Sequence, residues 1–203
     1  MTAARWRFTT RADGDLAAAA DARSTTLHQV HGATVVTVTR PGEHAGVDAD
    51  AAVTTVADAN LVVRVADCAP VVLVADGVVA VAHAGWRGLA RGVLPATVAV
   101  MRGLGAGAVH AAVGPAIGPE CYEFGPDDLA DLVALLGPAV AARTSAGRPA
   151  LDVRAAVRAS LAAAGVDDVT VDERCTACDA TELWSHRARG DVERQGVVAW
   201  LDA

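Results

Sequence analysis

The chain has 203 residues, of which 53% are hydrophobic and 20% are charged, a composition typical of a globular protein that excludes a disordered one. Its net charge of −7 and its lack of any basic run give no indication of a nucleic-acid or anionic-membrane partner. No uncharged apolar run reaches the roughly 18 residues of a membrane span. The length suits one domain, residues 1–203. Because the N-terminus shows no apolar signal segment, we expect the protein in the cytoplasm.

The first half of the chain has the patterns of β-strands. Strands are predicted over Thr34–Val38, Ala51–Val56, Leu61–Val65, Val71–Ala75 and Val78–Ala82. The last three are apolar runs without alternation, interrupted only by Arg64, which is typical of strands buried on both faces. Asp76-Gly77 predicts a hairpin turn between the last two strands. The Ala-rich stretch Ala17–Ala20 predicts no more than a helical turn.

Helical periodicity begins in the middle of the chain. Apolar spacing predicts one helix over Trp86–Leu104, with a kink at Pro95. A second helix is predicted to begin at Pro126 and stop at Gly137, and a third to be capped by Asp152 and end at Gly165. Further strands are predicted over Val109–Val113, Val166–Val171 and Val197–Leu201. Sheet segments separated by long helices indicate a mixed, layered α/β domain.

Residues that carry chemistry cluster at the ends of the apolar strands. They occur in three segments, Leu27–Gly32, Ala66–Pro70 and Ala82–Gly88. Each segment sets a histidine or cysteine beside a strand, and His31, Cys68 and His83 are of the types that bind zinc. Three protein ligands leave a fourth position for water or substrate, which is the catalytic arrangement of zinc.

Each of these residues also has an ordinary structural explanation. Cys68 can be a small buried hydrophobe, and the histidines can be satisfied core or surface residues. Sequence spacing does not decide between the two, because the candidate ligands are dispersed. Asp67 beside Cys68 and Arg87 near His83 favour a functional site, since charges at the ends of buried strands are costly unless they are used.

Cys175 and Cys178 form a lone Cys-x-x-Cys motif. A zinc ribbon needs a second such pair, and the sequence contains none. A redox pair and two buried thiols both remain open. The zinc deaminase signature is absent, because no His-x-Glu occurs and Arg174 stands where that signature has proline.

Taken together, the motifs resemble those of the laccase-domain family, also known as the multicopper polyphenol oxidase, peptidoglycan editing factor or purine nucleoside phosphorylase family. The matching segments are Gln29–Gly32, Ala66–Pro70, His83–Gly88, Gly114–Pro119 and Arg174–Thr176. They follow the family order and extend over nearly the whole chain. Three features depart from the pattern: a shortened segment between Arg11 and Gln29, the sequence Trp184–Ala188, and Glu193-Arg194.

The resemblance implies an α+β fold, a layered α/β/β/α domain with mixed sheets of the YfiH-like cysteine hydrolase type. It implies Zn²⁺ bound by His31, Cys68 and His83. It also implies phosphorolysis of adenosine, inosine, guanosine and methylthioadenosine, with adenosine deamination as a second activity. Purine nucleosides and phosphate are then the partners, and the oligomeric state is left open.

Further roles follow from this activity. Arg87 would position phosphate, and Asp67 would either protonate the departing base or orient a histidine. Arg11 and Gln29 are expected to bind substrate.

Three rival hypotheses remain. Copper could replace zinc in a polyphenol oxidoreductase, although the chain has only two methionines as axial-ligand candidates. Cys68 could be the nucleophile of a hydrolase with His83 as its base. The protein could also be a factor in cell-wall quality control.

Overall fold

The fold is known from a computed structural model that describes residues 3–16, 18 and 21–203. Its strands are β1 (Ala4–Phe8), β2 (Ser24–Thr26), β3 (Val35–Val38), β4 (Ala51–Thr54), β5 (Asn60–Val65), β6 (Ala69–Ala75), β7 (Val78–Ala84), β8 (His110–Val113), β9 (Ala141–Arg143), β10 (Pro149–Leu151), β11 (Asp168–Val171) and β12 (Gln195–Leu201). Its helices are α1 (Trp86–Ala90), α2 (Val93–Gly103), α3 (Pro126–Leu136), α4 (Val153–Ala163) and α5 (His186–Arg189). Short 3₁₀ turns cover Arg11–Asp13, Pro119–Cys121 and Pro138–Val140.

Two mixed sheets form the frame of the molecule. One has the strand order β1-β12-β5-β2, and the other has the order β11-β8-β6-β7-β4-β3. Each combines antiparallel pairs with parallel ones, such as β2 with β5 and β3 with β4. The pair β9 and β10 forms a separate small ribbon. These features confirm the α+β fold with mixed sheets.

Two apolar cores lie on the two faces of the six-stranded sheet. One face packs against the four-stranded sheet through β-branched and aliphatic side chains that include Val63, Val72 and Val81. The opposite face packs against α2 and α4, with Leu94, Met101 and Leu161 fully buried. Strands β6 and β7 lie between these cores, which explains why their sequences are apolar without alternation.

Most predicted elements are confirmed with small shifts in their bounds. The Asp76-Gly77 hairpin joins β6 to β7, and Gly77 adopts the left-handed φ of 69° that this tight turn requires. Asp152 caps α4, where its carboxylate accepts a hydrogen bond from the N–H of Ala155 at 2.9 Å. Ala17, Ala19 and Ala20, for which a helical turn was predicted, lie outside the described residues.

The prediction that Trp86–Leu104 is largely helical is confirmed, but the predicted kink at Pro95 is wrong. The segment forms two helices, α1 and α2, and they separate at Gly92, which has a left-handed φ of 81°. Pro95 does not interrupt α2, because it lies in the first turn of this helix, where a backbone N–H has no partner inside the helix. Within the described residues, no helix combines the length and apolar character needed to cross a bilayer.

Candidate metal centre

The register of the large sheet brings the ends of several strands to one edge. Ala69 at the start of β6 pairs with Ala84 at the end of β7, and Ala51 at the start of β4 pairs with Ala82. Cys68 immediately precedes β6, and His83 is the penultimate residue of β7. Antiparallel pairing therefore sets the thiol and the imidazole side by side.

Three of the predicted site residues converge at this edge. Donor atoms of His31, Cys68 and His83 all lie within 4.8 Å of one another. Cys68 Sγ is 3.9 Å from His31 Nε2, and the two imidazole rings meet edge to face with centroids 4.7 Å apart. Ligands of one tetrahedral zinc ion lie roughly 3.5 Å apart, so this His–Cys–His centre has the spacing and donor chemistry that fit a divalent metal. The role of the three residues as ligands stays a prediction.

A buried carboxylate, Asp50, supports the His–Cys–His centre. Asp50 is fully buried, and its Oδ1 lies 2.8 Å from Nδ1 of His83. The same side chain accepts hydrogen bonds from the backbone N–H groups of His31 at 2.9 Å and Gly32 at 2.6 Å. A carboxylate bonded to one ring nitrogen leaves the other nitrogen free for a metal and fixes the orientation of the ring. The sequence analysis did not identify Asp50.

The backbone around the centre adopts unusual conformations. His31 has a φ of 56° and Asp67 a φ of 106°, which are left-handed values rare for residues other than glycine. Gly85 is required by close contact, since a Cβ there would lie 2.8 Å from His31 Cδ2 and 3.1 Å from Cys68 Sγ. The glycine of the His83–Gly88 motif thus leaves space for two candidate ligands.

The thiol and the imidazole stabilise each other's charged forms. Burial opposes ionisation of Cys68, but the contacts with His31 and His83 outweigh it and lower the pKa of the thiol to about 6. Burial also opposes charge on His83, but the Asp50 carboxylate and the Cys68 thiolate raise the pKa of the imidazole to about 9. At neutral pH, Cys68 is therefore a thiolate, which is the form of cysteine that binds metals and attacks electrophiles.

The centre lies in the wall of a cleft of about 630 Å³, which is large enough for a nucleoside. The cleft is lined by His28, Gln29, His31, Arg64, Val65, Ala66, Asp67, Cys68, His83, Tyr122, His186, Arg187, Val192 and Arg194. Tyr122 remains a neutral phenol, since burial and then the charge of Cys68 raise its pKa to about 12. The cleft thus combines candidate metal ligands with hydrogen-bond donors and cations.

Gln29 and Asp67 line this cleft, and both side chains form hydrogen bonds with other parts of the protein. The Gln29 amide donates to the carbonyl of Arg64 at 2.8 Å and accepts from its N–H at 2.9 Å. Asp67 accepts hydrogen bonds from Thr176 Oγ1 and from the N–H of Arg187, both at 2.7 Å. Within the described residues, both oxygens of Asp67 accept hydrogen bonds and neither is bonded to a histidine, so the predicted contact that would orient a histidine is not found.

Arg11 and Arg87 do not line the cleft. Arg11 forms an ion pair with Asp191 at 3.0 Å and lies 3.7 Å above the centroid of the Trp184 ring. Arg87 is exposed and stacks on Trp86, with its guanidinium carbon 4.4 Å from the ring centroid. The structure thus does not bring these two arginines together with the three candidate ligands.

Other cations occupy the cleft wall instead. Arg64, Arg187 and Arg194 line it, and the buried Nε of Arg64 has no hydrogen-bond partner. An unpaired buried guanidinium nitrogen is costly unless an anion or a water completes it. A signal for Arg64 was present in the sequence, because an arginine interrupts the apolar run of β5.

The structure also brings together a second group of possible ligands. Glu120, Cys121, Cys175 and Cys178, here named the thiol cluster, have donor atoms that all lie within 4.8 Å of one another. The alternative of two buried thiols at Cys175 and Cys178 is wrong for Cys178, which is exposed. All four cysteines of the chain are free.

The class of this protein is shown by its match to a known family. A sequence model of the multi-copper polyphenol oxidoreductase laccase family matches residues 9–202, and the chain belongs to that family. This confirms the resemblance found in the sequence.

Its relatives carry a different activity in their names. The chain is 41% identical over 186 residues to purine nucleoside phosphorylase SCO2081 of Streptomyces coelicolor, a match that covers 89% of this chain and 76% of the relative. It is 39% identical over 181 residues to purine nucleoside phosphorylase Rv2149c of Mycobacterium tuberculosis, covering 87% and 71%.

Solved structures share the fold. YlmD from Geobacillus stearothermophilus is 35% identical with a TM-score of 0.78, covering 89% of this chain and 73% of that one. NMB0706 from Neisseria meningitidis is 32% identical with a TM-score of 0.80, covering 89% and 75%.

Proposed function

We propose that this protein is a zinc-dependent purine nucleoside phosphorylase of the cytoplasm, with adenosine deamination as a second activity. Its proposed substrates are adenosine, inosine, guanosine and methylthioadenosine, together with phosphate. The observation that carries the proposal is the convergence of His31, Cys68 and His83 on a cleft whose wall includes Arg64, an arginine with a buried Nε that has no hydrogen-bond partner. The names of the relatives support the same chemistry.

In this proposal, His31, Cys68 and His83 hold the metal, and Asp50 fixes the His83 ring through its Nδ1. When bound, zinc would supply Lewis-acid polarisation and would lower the pKa of a water molecule in the cleft to about 7. Gly85 permits the close approach of the ligands, and the buried Asp50 keeps the 30–32 backbone in place. The site is therefore assembled by the protein's own hydrogen bonds.

The cationic part of the cleft suits phosphate. Arg64 and Arg187, aided by Arg194, provide planar guanidinium groups that bind phosphate oxygens in pairs. Phosphorolysis forms a bond from a phosphate oxygen to C1′ of the ribose and breaks the C1′–N9 bond of the nucleoside, whose electron pair leaves with the purine and takes up the proton that the phosphate releases. Positioning phosphate behind C1′ accounts for most of the catalytic task, because a bound nucleophile avoids the entropy cost of encounter. In this proposal, these arginines take the phosphate-positioning role that was predicted for Arg87.

The rest of the cleft wall suits a purine nucleoside. The neutral phenol of Tyr122 can donate a hydrogen bond to the base or the ribose. Asp67 fixes Thr176 and the start of α5, and with them the position of Arg187. Asp67 thus affects catalysis indirectly, by positioning Arg187.

The direct test incubates zinc-loaded protein with adenosine and phosphate and separates the products. We expect adenine and ribose 1-phosphate in equal amounts, and inosine when phosphate is omitted. Folded Cys68→Ser protein is the matched control and should form neither product. Absence of turnover of all four nucleosides by zinc-loaded, folded protein would contradict the proposal.

A copper oxidoreductase is the second candidate, favoured by the description of the matching family. Copper electron-transfer sites of the His₂Cys type carry a weak axial ligand, commonly methionine. Met101 belongs to α2, where its side chain is buried in the core, and it is absent from the lining of the cleft. The donor set therefore favours zinc, and oxidation of a phenol by copper-loaded protein would reverse that preference.

A cysteine hydrolase is the third candidate, favoured by the charged pair of Cys68 and His83. An activated thiolate beside an imidazolium is the arrangement of a covalent nucleophile. Trapping of Cys68 by a thiol-reactive substrate analogue would support it if the chelator-treated protein also turns over its substrate without metal.

A further inference from the structure

The thiol cluster lies between two tight turns that are far apart in sequence. Cys121 closes the 3₁₀ turn that begins at Gly118, where its N–H donates to the Gly118 carbonyl at 3.0 Å. Cys175 begins the second turn, which is closed by a bond from the N–H of Asp179 to the Cys175 carbonyl at 2.9 Å. An isolated parallel bridge joins Ala116 to Cys175 and keeps the two turns together.

The four donor atoms have the spacing of a single tetrahedral site. Cys121 Sγ lies 3.4 Å from Cys178 Sγ, and Cys178 Sγ lies 3.5 Å from Glu120 Oε1. The ligands of a tetrahedral zinc ion with Zn–S bonds of about 2.3 Å lie roughly 3.8 Å apart. The cluster therefore needs only small shifts to surround one ion.

The surroundings of the cluster are also those of a structural metal site. The N–H of Gly118 donates to Cys175 Sγ at 3.1 Å, a bond that stabilises negative charge on the sulfur. The Glu120 carboxylate folds back over Gly118, where any Cβ would collide with it. Glycine at this position therefore permits the carboxylate to face the sulfurs.

Positive charge lies beneath the cluster. The buried Arg154 donates to the carbonyls of Ala116 at 2.9 Å and Arg174 at 2.7 Å, one on each of the two segments. Arg189 donates to the carbonyls of Thr176 and Ala177, both at 3.0 Å. The guanidinium group of Arg154 offsets part of the net negative charge that three thiolates and a carboxylate would retain around a divalent ion, whereas that of Arg189 is also paired with Asp191 at 3.0 Å.

We infer that the thiol cluster is a second metal site, in which Cys121, Cys175, Cys178 and Glu120 bind one zinc ion tetrahedrally. Three thiolates select a soft or borderline metal over magnesium or calcium. Four protein ligands leave no position for substrate, so this ion is structural. The Cys175–Cys178 motif supplies two ligands, and Glu120 and Cys121 of the first turn supply the other two.

The second site would also stabilise one wall of the cleft. Thr176 lies between Cys175 and Cys178, and its hydroxyl donates to Asp67 at 2.7 Å beside Cys68. Binding of zinc fixes the 175–178 turn and, through it, the position of Asp67. The inference does not depend on the proposed function, because it concerns separate residues and a separate measurement.

The experiment uses Cys68→Ser protein, in which the thiol cluster is the only intact cysteine site. The protein is purified with a reductant and without oxygen, freed of metal, and titrated with cobalt(II) while its absorption is recorded. We expect one cobalt ion per chain with intense thiolate-to-cobalt absorption. A centre reduced to His31 and His83 produces no such absorption, so the signal is specific to the cluster.

The matched variant adds Cys121→Ser and Cys178→Ser to the same protein. We expect loss of the thiolate-to-cobalt absorption and one metal ion fewer per chain, with circular dichroism used to verify that the variant remains folded. The second measurement is competition of the Cys68→Ser protein with a chromophoric zinc chelator, which requires no change in the cluster.

Two results would overturn the inference. One is folded, reduced Cys68→Ser protein that neither absorbs with cobalt nor competes for zinc. The other is a disulfide between Cys121 and Cys178 in protein kept under reductant, detected as a mass lower by two hydrogens.

Discussion

The His–Cys–His centre and the thiol cluster place similar ligand types in opposite surroundings. The first has three candidate ligands and opens onto a cleft, whereas the second has four and lies between two turns. The first carries a buried carboxylate behind a histidine, and the second carries backbone and arginine donors around sulfur. If the two proposals hold, the number of protein ligands, more than the presence of cysteine, separates a reactive centre from a structural one.

Cysteine replacement at the two sites provides the strongest test of this contrast. Cys68→Ser should lower kcat/KM for phosphorolysis by about 10³-fold or more, because Lewis-acid polarisation contributes several kcal/mol. Cys178→Ser, at an exposed position, should keep kcat/KM within about tenfold of the unmodified protein. Steady-state assays with adenosine measure both values. A larger loss from Cys178→Ser than from Cys68→Ser would reverse the assignment of the two sites.

Gly85→Ala sharpens the contrast without removing a ligand. The new Cβ would press on His31 and Cys68, and we expect metal affinity at this centre to fall about 100-fold. Competition with a zinc chelator measures the change. The matched control is Gly103→Ala, where a Cβ meets nothing within 4 Å and where alanine at the end of α2 should stabilise the helix by up to about 1 kcal/mol. Equal metal affinity in both variants would contradict the close-packed geometry.

Asp50→Asn tests whether the buried carboxylate tunes the metal centre. The change removes the charge that supports His83, and we expect metal affinity to fall about 10–100-fold. Isothermal titration with zinc gives the affinity, and thermal unfolding reports any loss of stability. Asp48→Asn is the control, since Asp48 is exposed and contacts His28 instead. An unchanged affinity in Asp50→Asn protein would show that the carboxylate only holds the backbone.

Arginine replacement tests which cations bind phosphate. Arg64→Met should raise the KM for phosphate about tenfold, because a hydrogen bond between charged groups contributes roughly 1.5–3 kcal/mol. Arg87→Met should leave that KM unchanged, as its side chain lies outside the cleft. Initial rates at varied phosphate measure both effects. The opposite result would restore the role that the sequence suggested for Arg87.

The smallest expected effect is a difference in thiol reactivity between the two sites. In metal-free protein, the pKa of Cys68 near 6 keeps it ionised at pH 7, while the contact with Cys121 raises the pKa of Cys178. We expect iodoacetamide to alkylate Cys68 a few-fold faster than Cys178 at pH 7, because lower basicity partly offsets the larger thiolate fraction.

The pH profile tests the same point. Alkylation of Cys68 should rise as the pH increases through about 6 and then level off, since only the thiolate reacts. Peptide mass spectrometry quantifies each site, and zinc should protect Cys68. A profile that still rises above pH 8 at Cys68 would contradict the lowered pKa.

The fold was most predictable where a strand is buried on both faces. The apolar runs of β6 and β7 have no polar face that could be exposed to solvent, so both strands must be buried. Their predicted bounds lie within two residues of those in the structure. Strand β1 was missed, although Arg5, Trp6, Arg7 and Phe8 alternate as a half-buried strand requires. Strands β9 and β10 are too short for any period to be recognised.

The candidate site was predictable to the extent that its residues carry individual signals. His31, Cys68 and His83 stand beside strands in motifs shared with a family, and the structure brings them together. Asp50 had the same signal, an acidic residue directly before a buried strand. The thiol cluster was not predictable, because Cys121 and Cys178 are far apart in sequence. They come into contact where the bridge between Ala116 and Cys175 joins their two segments, and that bridge has no sequence signal.

The hairpin of β6 and β7 limits how this protein can vary in length. Cys68 and His83 are fixed by an uninterrupted ladder from Ala69–Ala84 to Ala75–Val78. Deleting or adding one residue within either strand reverses the pleat beyond it, which would turn a candidate ligand toward the wrong face. The turn at Asp76-Gly77 can change without altering the pairing at the far end. Natural insertions between Cys68 and His83 should therefore occur at that turn alone.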